Sequence, residues 1–281
     1  MPVDPQERAA IFRKLQKLLG RVAKKPEPQD VHHFRTNSRR VETLIDGLLC
    51  APTHADQKLV KTVRHLHKKA GKVRDLDVQM ALLQNLKLPQ DSRRKLQLLN
   101  AMAEEREERE KKLVKAFDPE TVRELRKRLK RVANEDKNLS ALNPLQIAKQ
   151  KFAEISHVSA PLTEKRLHQF RITGKRARYI AELAGDDPDA RHFVAELKHL
   201  QDVIGDWHDW LQLSGRAKKL FANEETSALL SVLRNISRAK FRLACEALNA
   251  TLADLNGTSL RPASVSLKKP PLSFGKSAVA A

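Results

Sequence analysis

The sequence predicts an all-α protein, and three observations carry that reading. Apolar residues recur at helical spacing along nearly the whole chain, the mark of amphipathic helices that bury one stripe. No segment alternates apolar and polar residues at period two between turn signals, as a half-buried strand does. Prolines and turn residues cut the periodic stretches into helices of about 15 to 28 residues.

The elements follow in order. Ile11, Phe12, Leu15, Leu18, Leu19 and Val22 form one i, i+1, i+4, i+7, i+8, i+11 stripe and define the first helix. Breaks are expected at Pro26 and Pro28, Pro52, Pro89, Pro119, Asn143-Pro144, Pro161 and Asp186-Asp187-Pro188. The charged run from Glu104 to Lys112 mixes signs at i, i+4 spacing and reads as a solvated helix face, not as a carboxylate active site. From Gly257 the chain gains Pro262, Pro270 and Pro271 and the cations Arg261, Lys268, Lys269 and Lys276, with no acidic residue. Residues 257–281 therefore read as a flexible basic tail.

Composition narrows the function. The 281 residues carry 54 Lys and Arg against 34 Asp and Glu, a net charge of +20, which anticipates a polyanionic partner. With 41% hydrophobic residues the chain has material for a buried core and is no disordered basic tail. Nine Phe, two Trp and one Tyr are too few for a platform on which bases stack. Cys50 and Cys245 stand alone on apolar stretches, without zinc-site spacing, and read as small buried hydrophobes with reduced thiols. Neither a signal peptide nor a membrane-spanning run is evident, so a cytoplasmic location is expected and no membrane partner.

An internal repeat organises the chemistry. Val31-His32-His33-Phe34-Arg35 with Arg39 and Arg40 is matched 136 residues later by Leu167-His168-Gln169-Phe170-Arg171 with Lys175 and Arg176. Arg64-His65-Leu66-His67 through Gly71 and Asp75 is matched 134 residues later by Lys198-His199-Leu200-Gln201 through Gly205 and Asp209. Two ordered matches at nearly one offset imply duplication and two related helical bundles, about 1–136 and 137–256, packed about a pseudo-twofold axis.

On a helix, His32, Arg35 and Arg39 fall within about 60° of one another. Phe34, Val41, Ile45 and Leu48 occupy the opposite side. In the second copy His168, Arg171, Lys175 and Arg178 repeat the donor stripe, with Phe170, Ala177, Ala181 and Ala184 opposite. A third row contains Lys61, Arg64, His65, Lys68 and Lys72. Cations spaced about 5 Å apart along a helix axis suit closely spaced phosphates, because Arg binds their oxygens with paired hydrogen bonds and Lys adds point charge. An approaching anion also favours the protonated, donor form of His32 and His168.

These residues resemble the CHAD domain family, named for conserved histidines in an α-helical domain. The resemblance rests on the two stripes above, with Arg178 and Tyr179, on Gly71-Lys72-Val73-Arg74-Asp75-Leu76-Asp77-Val78, and on Leu200-Gln201-Asp202 with Gly205 and Asp209. It covers about residues 5–255, so residues 1–256 are expected to be one CHAD domain. The resemblance implies two pseudo-symmetric four-helix bundles around a basic groove or pore, binding of inorganic polyphosphate, and association with polyphosphate granules and their other proteins. Nothing resembles the strands of the triphosphate-tunnel domain fused to many members, so the chain is similar to the standalone bacterial form.

Two departures stand out. Glu42 occupies the place of its counterpart Arg178, which shortens the first stripe in charge. Asp202 and Asp206 replace Lys68 and Lys72, and with His199 and Asp209 they share a face. They form either a divalent-cation site beside phosphate or a row that orients basic residues of neighbouring helices. Asp75 and Asp77 point about 200° apart, and Asp75 is expected to hold a cationic donor in place.

The sequence therefore predicts a non-enzymatic polyphosphate-binding protein. Its donors are His32, Arg35, Arg39, Arg40, Arg74, His168, Arg171, Lys175, Arg176 and Arg178, with Arg64, Lys68, Lys72 and Lys198 adding charge. No cofactor or metal is expected. The alternatives are a nucleic-acid-binding protein, weakened by the missing helix-turn-helix and zinc-finger spacings, and a Mg-dependent phosphohydrolase, weakened by the missing Walker glycine loop.

Overall fold

The computed structural model describes residues 3–48, 52–134, 142–156, 161–222 and 227–255. The tail expected over 257–281 and Cys50 lie outside them. The described residues form α-helices and two 3-10 turns, with no strand. The first half contains α1 (Pro5–Lys24), α2 (Pro28–Leu48), α3 (His54–Asn85), α4 (Ser92–Ala116) and α5 (Pro119–Asn134); the second contains α6 (Pro144–Ser156), α7 (Glu164–Ala181), α8 (Pro188–Leu220) and α9 (Ala228–Leu255). The turns are Pro89–Asp91, before α4, and Glu182–Ala184, after α7.

Prolines mark helix starts because the first turn needs no intrahelical N–H from them. Pro5, Pro28, Pro119, Pro144 and Pro188 each stand at a helix start. Side chains cap the exposed amides: Asp4 accepts from Gln6 N at 2.8 Å, Asp187 accepts from Ala190 N at 3.0 Å, and Thr53 and Asp56 form a reciprocal capping box. With 32 and 33 residues, α3 and α8 run longer than expected. No proline interrupts either after the first turn, so each extends well past the donor rows.

The two matched stretches of sequence lie on helices in the same order, α2 then α3 and α7 then α8. Successive helices pack as α2 on α3 and α3 on α4 in the first half and as α7 on α8 and α8 on α9 in the second, and the halves meet through α2 against α7 and α3 against α8. Helix α5 is a fifth helix in the first half; its apolar stripe Val122, Leu125, Leu129 and Val132 is buried where it packs on α1 and α3.

The halves share one core. A continuous cluster includes Phe12 and Leu15 of α1, Phe34 and Ile45 of α2, Phe170 and Ile180 of α7, and Trp207 of α8. A smaller cluster joins Leu76 and Leu83 of α3 and Met102 of α4 to Trp210, Leu213 and Leu233 of α8 and α9. The six-residue stripe read for α1 is buried throughout. Cys245 is only half-buried, and burial pushes its thiol pKa up. No described helix is long and apolar enough to cross a membrane.

The charged run on α4 does more than face solvent. Arg106 donates to Asp77 of α3 at 2.6 Å, and Glu105 accepts from Arg216 of α8, which also donates to Gln79 at 3.0 Å. This polar seam ties α4 to both long helices. A second seam centres on Asp91, 6% exposed, which accepts from Ser227 Oγ at 2.9 Å, Leu229 N at 3.0 Å and Arg94 at 3.0 Å. Burial alone raises its pKa, but these donors outweigh burial and hold it below the usual carboxylate value.

Asp91→Ala should therefore cost about 2–3 kcal/mol, because Ser227 and the α9 N-terminus lose a charged acceptor in a buried place. The wild-type contribution is present above the ordinary Asp pKa of 3.8 and is lost as pH falls through the depressed folded value. Urea denaturation of both proteins at pH 7 and pH 3 checks this; an equal midpoint at pH 7 would show that Asp91 does not couple the halves.

Candidate anion-binding groove

Helices α2 and α7 pack on each other, and each buries its apolar face in the core, Phe34, Val41 and Ile45 on one and Phe170, Ala177 and Ile180 on the other, with Phe34 against Phe117 and Phe170 against Phe152 of their own halves. Their approach is close: a Cβ at Gly47 would stand 3.3 Å from Ile180 Cδ1. Burial of these faces fixes the phase of both helices and brings the two donor stripes into one cluster. The wall on the first-half side is α3, and a groove between α2 and α3 is lined by Arg35, Arg39, Arg64 and His67, with Lys68, Gly71 and Lys72 and the carboxylates Glu42 and Asp75; Arg171 and Lys175 of α7 adjoin it without lining it. The Arg35 guanidinium lies over Gly71 and donates to Asp75 at 2.9 Å, the role expected of that aspartate.

Mutual electrostatic effects show how tightly the halves converge. Burial, followed by Arg171 and Arg35, pulls the Lys175 ammonium down to about 7, against some opposition from Asp209. Burial also lowers Arg171, whose neighbours include Asp209, Arg35, Asp75 and Arg39. Among the described residues neither Arg171 nor Lys175 forms an ion pair. The Nε atoms of Arg35 and Arg171 are buried without a hydrogen-bond partner in the described structure. These cations are held close by packing and are incompletely compensated.

The first-half flank is better neutralised, as Glu42 in the place of Arg178 anticipates. Glu42 is buried, with its side chain 7% exposed, and accepts from Arg39 and Arg64 at 2.7 Å each. Arg64 also pairs with Asp46. Lys68 and Lys72 are exposed at the rim of the groove.

The remaining predicted donors divide into distinct settings. Arg74 stands beside His32, whose pKa is lowered by burial and then by Arg74, His33, Arg35 and Lys175. His168 stacks on His208 with centroids 5.6 Å apart, and its pKa is lowered by burial, His208 and Arg171. Thus the surroundings of both histidines favour the neutral form. Arg40 and Arg178 belong to the α2–α7 contact: both pair with Glu182, at 2.8 and 3.4 Å, and both guanidinium groups lie over the Tyr179 ring. Arg176 is exposed on α7, near enough to Asp46 to influence it. Lys198 is exposed on α8 and does not line the groove.

Sequence reasoning missed His67. Burial, then Arg39 and Arg35, hold its pKa near 3, and its Nδ1 is buried without a partner in the described structure. Its signal was its place on the helix face shared with Arg64, Gly71 and Asp75, hidden because its repeat counterpart is Gln201. His208 was also missed; it occupies the repeat position of Arg74 and repeats its contact with the stripe histidine.

The acidic row of α8 separates in function. Asp206 pairs with Lys240 of α9 at 2.7 Å, while Asp209 faces Arg171 and Lys175. Asp206 therefore orients a cation of a neighbouring helix. Among the described residues no group of three or more His, Cys, Asp or Glu is arranged to hold a metal ion.

An all-helical repeat whose halves press cationic stripes together defines a class of anion-facing helical domain. The CHAD domain profile matches residues 8–218, and the chain belongs to that family. Two solved structures share its fold. PptA from Streptomyces chartreusis is 12% identical with a TM-score of 0.66, covering 92% of this chain and 100% of that one. The CHAD domain from the plant Ricinus communis is 20% identical with a TM-score of 0.66, covering 92% of this chain and 91% of that one. No curated protein matches the sequence.

The uncompensated burial of Lys175 yields a stability prediction. Its folded pKa lies below the ordinary 10.5, so the unfolded chain binds more protons in that window and wild-type stability rises with pH. Lys175→Met should raise stability by about 1–2 kcal/mol at pH 6, with the gap closing as pH approaches 10. Thermal unfolding at several pH values measures it; a variant less stable than wild type at pH 6 would contradict the crowding.

Proposed function

We propose that the protein binds inorganic polyphosphate along the α2–α3 groove and the adjoining Arg171 and Lys175 of α7, without hydrolysing it, and that this binding associates it with polyphosphate granules. The observation that carries the reading is the crowding of Arg35, Arg171 and Lys175, drawn from both halves, with Arg171 and Lys175 lacking an ion pair among the described residues. A phosphate chain supplies the missing charge along its whole length, and the Asp75 bond holds Arg35 ready to receive it. The CHAD family membership supports the same ligand.

Two features favour polyphosphate over nucleic acid. The groove lining holds no Phe, Tyr or Trp for a base to stack on. The donors are mostly Arg and Lys, which read phosphate oxygens and charge. Binding without hydrolysis is supported by the separate partners of Asp206 and Asp209, which leave the row without convergence on one cation.

The test is a titration of labelled long-chain polyphosphate against wild type and Arg35→Ala/Arg171→Ala, with free phosphate monitored. The variant should bind about 10–100-fold more weakly, as expected for loss of charge-assisted hydrogen bonds worth roughly 1.5–3 kcal/mol, and no phosphate should appear. Undiminished binding would remove the groove from the site, release of phosphate would contradict binding alone, and displacement by duplex DNA at equal phosphate would contradict the preference.

A further inference from the structure

A second strongly basic concavity lies between α1 and α5, and it shares no lining residue with the central groove. Its walls are Arg13, Gln16 and Lys17 of α1 and Arg126, Lys127 and Lys130 of α5, with no carboxylate among them. The two helices bury their apolar stripes and pack on each other, so these polar faces form the two sides of one shallow channel open to solvent. Helix α5 has no counterpart after α9 among the described residues; it adds this surface to the duplicated plan.

Its cations lack the ion pairs that several cations on neighbouring helix surfaces form. On α4, Arg106, Arg109 and Lys112 each pair with a glutamate four residues away. On the flanks of this concavity, Arg128 pairs with Glu124 at 2.8 Å and Arg21 with Asp30 at 3.4 Å. Arg13, Lys17, Arg126, Lys127 and Lys130 form no ion pair among the described residues. All five are exposed. Arg126 is also closely seated: its guanidinium lies against Gly20 of α1, where a Cβ would collide with it. A glycine at that point lets the cation cross onto the facing helix.

Cations held together in a concavity repel one another and attract a polyanion by their summed field. With no aromatic residue in the lining, the surface offers nothing for bases and everything for phosphate oxygens. We propose that the α1–α5 channel is a second polyphosphate-binding site, so that one molecule holds two segments of phosphate chain and links them. The location of this site stands on the α1–α5 geometry; its ligand rests on the polyphosphate reading of the central groove. Linked segments raise the local concentration of chain and protein together, the physical requirement for a cross-linked assembly.

The test uses the full chain and inorganic polyphosphate too short to span both sites, titrated at low salt. Wild type should bind two short chains per molecule. Lys17→Gln/Lys127→Gln/Lys130→Gln, which alters only exposed side chains, should bind one with unchanged thermal stability. Arg35→Ala/Arg171→Ala should also bind one, through the remaining channel. With long-chain polyphosphate, light scattering from assemblies should fall about tenfold in the triple variant. One chain bound by wild type, or two retained by the triple variant, overturns the second site. If the triple variant loses one chain while Arg35→Ala/Arg171→Ala loses none, the channel stands and the central reading falls. Preferential displacement of the triple-variant-sensitive chain by duplex DNA overturns the ligand assignment.

Discussion

The structure depends on one opposition: burying the apolar faces of α2 and α7 in the core turns together cations that repel one another. The buried faces of Phe34 and Ile45 on α2 and of Phe170 and Ile180 on α7 set the helical phase. At that phase Arg35 and Lys175, 140 residues apart in sequence and drawn from different halves, face the same space. Each buried large apolar side chain contributes about 1.5–3 kcal/mol, so a handful of them outweighs the cost of crowding. The free protein therefore keeps a region of raised positive potential and partly dehydrated donors. That region is the physical basis of the proposed affinity for a polyanion.

Around the crowded centre, carboxylates act mainly to orient. Asp75 fixes Arg35, Glu42 gathers Arg39 and Arg64, and Glu182 bridges Arg40 and Arg178 across the interface beside Tyr179. Partly exposed pairs of this kind contribute about 0–1 kcal/mol each, so their effect is to hold guanidinium forks in fixed directions more than to stabilise the fold. Glycine contributes where geometry demands it. Gly47 permits close approach to Ile180, and Gly185, at φ 64°, ends the turn after α7 in a conformation that other residues rarely adopt. Leu183 O in the same turn accepts from Asp4 N at 2.9 Å, tying the first half's N-terminus to the second half.

Much of this was legible in the sequence, for identifiable reasons. Helix starts followed prolines because their effect is local. The donor stripes and their buried backs followed from period alone, and Asp75 holding a cation followed from its separation from Asp77. What period cannot tell is which stripe meets which. The convergence of Arg35 with Arg171 and Lys175 needs the fold, as does the burial that singles out His67. The run from Glu104 to Lys112 looked solvated because its partners Asp77, Gln79 and Arg216 are remote in sequence. Arg40 and Arg178 looked like free donors because Glu182 and Tyr179 enter only once α2 and α7 are packed.

The proposed site joins two cationic stripes, one from each half. Determining the structure of the protein with inorganic polyphosphate bound tests it most directly. The account predicts one phosphate chain lying between α2, α3 and α7, in contact with Arg35 of one half and with Arg171 and Lys175 of the other. A chain that contacts only one half, or that lies elsewhere while this groove stays unoccupied at saturating ligand, would contradict it.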